Sequence, residues 1–101
     1  MKKVIYSREE QKSSTLGKLE DYVTRTDQVE LIRKDSLHDS RSNYKGSYLI
    51  AHFTDQGVTL AYAASFNHDE SRSSYVTITL FGKPKGVGEV EKIVLAEIKR
   101  K

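Results

Sequence analysis

"SYLIAHFTDQGVTLAYAASF", Ser47 to Phe66, is the stretch that decides the fold. Its apolar residues recur at every second position, the period of a strand. Leu49, Ala51 and Phe53 would share one face, with Tyr48, Ile50 and His52 on the other. "DQG" interrupts the run, and Gly57 can take the positive φ that a tight hairpin turn requires. The period then resumes, with Val58, Leu60, Tyr62, Ala64 and Phe66 on one side. Two alternating runs about a glycine turn predict an antiparallel hairpin. "YVTITLF", Tyr75 to Phe81, adds a third strand, with Val76, Ile78 and Leu80 facing inward and Tyr75, Thr77 and Thr79 outward. The polar run "NHDESRSS" between them reads as a loop.

Outward from this core the period changes. "KKVIYS" predicts a short first strand with Val4 and Tyr6 on one face. Ser7 with Glu10 forms a capping-box pattern, and Leu16, Leu19, Tyr22 and Val23 follow at helical spacing. Gly17 and the Ser13-Ser14-Thr15 run weaken the start of that helix. Asp27 with Glu30 repeats the capping pattern ahead of "VELIRKDSL", where a second short helix is expected and a strand is the alternative. Toward the C-terminus, "GKPKGVG" breaks the chain. Val90, Ile93, Val94 and Ile98 then define an amphipathic helix. The expectation is an α+β domain spanning residues 1–101: a short N-terminal strand, one or two helices, a three-stranded antiparallel meander and a C-terminal helix. Helices would cover one face of the meander, and the other would carry Tyr48, Tyr62, Tyr75 and threonines.

Composition narrows the function classes. The 101 residues contain no cysteine, so neither a disulfide framework nor a thiolate zinc site is available. No apolar run approaches the ~20 residues of a membrane span, and the N-terminus has no signal-peptide core. A cytoplasmic protein is the expectation. The net charge of +3 is unevenly placed. Residues 1–40 balance at eight basic and eight acidic side chains, while residues 41–101 carry nine against six. A mild basic bias suits an anionic partner such as nucleic acid.

The segment "LHDSRSNYKGSYLIAH", Leu37 to His52, resembles the YafQ branch of the RelE/ParE toxins. In that branch a histidine precedes an aromatic-Lys-Gly, then come a strand with a second histidine, an Asp-containing turn and a strand ending in tyrosine. His38, Tyr44-Lys45-Gly46, His52, Asp55 and Tyr62 follow that order here. The element order is also similar to that superfamily's. The resemblance implies a small metal-independent endoribonuclease, or a degenerate RNA-binding relative. Its partners would be RNA, with the ribosome as one setting, and an antitoxin. Two departures stand out: Thr77 lies near the place of the family's last-strand histidine, and the chain has no tryptophan.

Metal-independent cleavage needs a base, an acid and cations around the phosphorane, and histidines titrate in the right range for the first two. His52, His38, His68 and Asp55 are the catalytic candidates. Arg41, Lys45, Arg72, Lys83 and Lys85 are candidates for phosphate, and Tyr48, Tyr62 and Tyr75 for base stacking. Lys83 and Lys85 also sit ahead of a helix N-terminus, although Glu89 and Glu91 would repel an anion there. No metal-ligand spacing and no cofactor motif is present. The competing expectation is a non-enzymatic protein-interaction module, such as a phage or mobile-element inhibitor, that docks a host protein through its aromatic sheet face. A homodimer is compatible with either.

Overall fold

The computed structural model describes the backbone of residues 1–10, 14–39, 44–67 and 74–100, and the side chains of 1–9, 15–35, 46–65 and 75–100. The fold is α+β, with seven elements: β1 (Lys2–Glu10), α1 (Ser14–Arg25), β2 (Val29–Asp39), β3 (Tyr44–Phe53), β4 (Val58–Asn67), β5 (Ser74–Phe81) and α2 (Pro84–Lys99). The strands form one antiparallel sheet in the order β1-β5-β4-β3-β2. β4 is therefore the central strand. The first strand of the chain closes the sheet against the last one.

Both helices lie on one face of this sheet. The strands bury Leu49, Ala51, Phe53, Val58, Leu60, Tyr62, Val76, Ile78 and Leu80 there, against Leu19 and Val23 of α1 and Val87, Val90 and Val94 of α2. The period-two and period-3.6 patterns meet in this layer, which is why each run alternates as it does. Tyr22 stacks on Phe53 with ring centroids 6.3 Å apart, setting α1 over β3. Arg25 reaches Glu97 at 3.3 Å and ties the two helices together.

Four expectations are corrected. The sheet has five strands rather than three plus a short one, because "VELIRKDSL" is strand β2 and not a helix. Ser7 and Glu10 cap no helix: both lie in β1, which runs on to Glu10. Val4 and Tyr6 do not share a face, because Ile5 is an extra residue against β5 and inverts the alternation. Finally, α2 begins at Pro84, inside the stretch read as a breaker. Proline suits the first helical turn, where its missing N–H has no intrahelical partner. Gly86 is needed for close approach, since a Cβ there would lie 2.5 Å from the Gln56 carbonyl oxygen. Gly57 has the positive φ expected of it, 64°.

Candidate binding surface

No described element covers the second face of the sheet, and strand register lays it out as a grid. Antiparallel partners point the same way, so each rung crosses five strands. From β2 to β1 the first rung reads Glu30, His52, Thr59, Phe81, Lys2. The second is Arg33, Ile50, Ala61, Thr79, Val4, and the third is Asp35, Tyr48, Ala63, Thr77, Ser7. In the fourth rung Gly46, Ser65, Tyr75 and Glu9 are the members whose side chains are described, and the register continues through a fifth, Asp39, Tyr44 and Asn67. Side-chain contacts agree with this placement. Ser7 Oγ and Tyr75 OH share a hydrogen bond of 2.6 Å, and the Arg33 guanidinium lies 5.9 Å from the Tyr48 ring centroid. Lys3 and Lys34, one residue out of phase, point to the helix side and pair with Glu91 and Glu20.

The surface is smooth at its centre. β4 contributes Thr59, Ala61, Ala63 and Ser65, a trough of small residues between rows headed by Tyr48 and Tyr75. At one end Gly46, Tyr48, Ala63, Ser65, Tyr75 and Thr77 line an open cleft of ≈ 300 Å³. That volume is at the floor of the ~300–1,000 Å³ typical of small-molecule pockets, and the cleft is a shallow part of a larger face. The exposed apolar side chains Val4, Phe81 and Tyr75 belong to the same face. Among the described side chains of this face, charges stand on the outer strands, with two cations, Lys2 and Arg33, and three carboxylates, Glu9, Glu30 and Asp35.

The catalytic candidates that the structure describes stand apart. His52 is half-buried on the open face, and its Nδ1 shares a hydrogen bond of 3.1 Å with Thr59 Oγ1. Its other rung neighbour is Glu30, so a hydroxyl and a carboxylate flank the ring, and Arg33 leans away from it over Tyr48. His38 is paired with Lys45, seven positions from His52 along β3. At ~3.3 Å per residue those backbone positions are about 23 Å apart, too far for two imidazoles to serve one phosphate. Asp55 is exposed in the turn after β3, off the sheet face. His68, Arg41 and Arg72 lie outside the described residues.

The binding candidates divide as well. Tyr48 and Tyr75 border the trough as expected. Tyr62 does not, being 1 % exposed on the helix-covered face, where it cannot stack on a base. Lys83 and Lys85 are exposed at the start of α2, away from the sheet grid. Lys83 is the N-cap and makes no side-chain cap hydrogen bond. Sequence reasoning missed Arg33 and Asp35 on this surface, because a helix was expected for that segment. Among the described residues no three His, Asp or Glu side chains group to hold a metal, and no helix is long and apolar enough to cross a membrane.

No protein-family model matches this chain, and no curated protein matches it either. The functional reading therefore rests on this geometry.

Proposed function

We propose that the chain is a non-enzymatic protein-interaction module whose docking surface is the open face of the sheet. The observation that carries this is the grid itself: small, hydroxyl and aromatic side chains at the centre, with charge confined to the rim. The aromatic flanks and the uncharged centre inside a charged margin match a protein interface, whose core is depleted of charge and enriched in aromatic residues. A phosphate backbone asks for the opposite, cations distributed along its track. The edges support the same reading. β1 and β2, the two outer strands, each carry a bulge and several charged residues, which discourage the addition of a further strand. Docking by the face is then the route left open.

A second reading is RNA contact, favoured by one observation: Tyr48 and Tyr75 border the trough and offer ring faces to bases. One substitution separates the two. Ala63→Arg places a long cation at the centre of the face, at an exposed position that tolerates it. Under the protein-docking reading, immobilised wild-type chain retains a protein at low and high salt, Ala63→Arg loses it, and the thermal midpoint is unchanged. Salt-dependent retention of RNA, strengthened by Ala63→Arg and lost in Tyr48→Ala and Tyr75→Ala, overturns that reading. RNA cleavage abolished by His52→Ala in a folded variant overturns it as well.

A further inference from the structure

β1 completes the sheet but fits its place poorly, and we infer that it is a replaceable strand. It opens while the rest of the domain stays folded, and the β5 edge then takes an extended segment of a partner protein, apolar at alternate positions, in its stead. The inference concerns the edge of the sheet and does not depend on what docks on the open face.

Strand register shows the mismatch. Leu80, Ile78 and Val76 of β5 are fully buried in the helix-covered layer. The β1 residues paired with them are Lys3, Tyr6 and Arg8. Antiparallel partners share a face, so β1 continues an apolar layer with two cations and a tyrosine. None of the described side chains of β1 is buried, and only Ile5 and Tyr6 are partly so. The opposite edge strand, β2, buries Val29. Between β1 and the helices lies a cleft of ≈ 310 Å³, lined by Tyr6 and Arg8 of β1, Thr15 and Lys18 of α1, and Leu95 and Ile98 of α2. Lys3 meets Glu91 at 2.7 Å and Ser7 meets Tyr75 at 2.6 Å, both from exposed side chains of β1. An exposed ion pair of this kind adds little against opening.

Topology allows the strand to leave. β1 is the first of the seven elements, so its departure carries none of the others with it, and β2 to β5 remain paired to one another. Segments with few buried apolar contacts open at a lower free energy than the whole domain. The irregularity in the pairing is the extra Ile5 on β1, so the edge that β5 then presents carries no bulge of its own. The bulge and charges of β1 discourage addition of a strand outside it, but they give no protection against its replacement. A segment with valine or leucine at the places of Lys3, Tyr6 and Arg8 would carry the apolar layer into the cleft. Backbone hydrogen bonds would hold it, and those alternate side chains would select it. It competes with a tethered β1 whose effective concentration is on the order of millimolar, so it must bury more than β1 does. The β1 of a second copy brings the same mismatch and gains nothing. The occupant is therefore a different, more apolar strand.

Native-state hydrogen exchange on the full chain reads the opening. The amides that bond β1 to β5 should exchange at least tenfold faster than those of β4, with a weaker dependence on urea. Fluorescence polarisation reads the occupant, using a labelled peptide of the β1 sequence with Ile5 omitted, Lys3→Val and Arg8→Val. A peptide of unaltered β1 sequence should bind at least tenfold more weakly. Ser7 and Thr77 are direct partners, so Ser7→Cys with Thr77→Cys can staple β1 shut in a chain that has no cysteine of its own. With the bond confirmed by mass, the oxidised chain should not bind the apolar peptide, and reductant should restore binding. Three results overturn the inference. They are β1 amides as slow and as urea-dependent as those of β4, no binding of the apolar peptide to the reduced chain, or equal binding by the stapled and reduced chains.

Discussion

Leu60 and Ala61 are neighbours in the central strand and belong to two different surfaces. Leu60 is fully buried beneath the helices, in a layer of leucine, isoleucine, valine and phenylalanine. Ala61 looks the other way, into a trough of alanine, serine and threonine that no described element covers. Both faces use the same backbone and the same register. They differ in what side-chain volume is asked to do. On the covered face volume fills space between sheet and helices, and stability depends on it. On the open face volume is withheld at the centre and placed at the flanks, which contributes little to folding and much to the shape offered to a partner.

The contrast can be broken or sharpened by substitution. Leu60→Ala opens a cavity in the covered layer and should cost about 2–5 kcal/mol, read as a lowered urea midpoint. A much smaller loss would mean that the helices do not pack as described. Gly86→Ala, at the edge of the same layer, drives a methyl group toward the Gln56 carbonyl and should cost about 1–3 kcal/mol in the same assay. An unchanged midpoint would show that α2 can move off the turn at no cost. Across the sheet, Thr59→Ala removes the hydrogen bond to His52 from a half-exposed site, and should cost about 1 kcal/mol or less. A loss comparable to that of Leu60→Ala would erase the distinction between the faces.

The two kinds of surface were unequally legible in the sequence. The central hairpin and β5 alternate without interruption, so their inward residues could be read directly, as could the buried stripes of α1 and α2. The edge strands could not. In β2 the extra residue Ile32, and in β1 the extra residue Ile5, shift the period by one, so that Leu31 and Lys34 face the helices on either side of the break. A single unpaired residue makes a strand read as an irregular or helical segment. The glycines of "GKPKGVG" misled for a related reason. A glycine placed for contact with another backbone is indistinguishable, in sequence, from one that ends a helix. The site was half legible. Tyr48, Tyr75 and His52 were placed on the open face by alternation alone. The charges at its margins sit on the two strands that alternation had hidden, and Tyr62 belongs to the core because parity, not residue type, decides a strand residue's side.

The pairing of β1 with β5 has a temporal consequence. The Gly82 amide donates to the Met1 carbonyl at 3.0 Å, so the first residue of the chain is fixed by one near its end. During synthesis β1 emerges before β5 and has its sheet partner only once β5 has followed it out. Each of β2 to β5 pairs with a strand next to it in sequence, whereas β1 pairs across most of the described sequence, a slow closure by the usual dependence on sequence separation. The charges on β1 are present before it pairs, and charged side chains on an unpaired strand disfavour its pairing with a wrong neighbour.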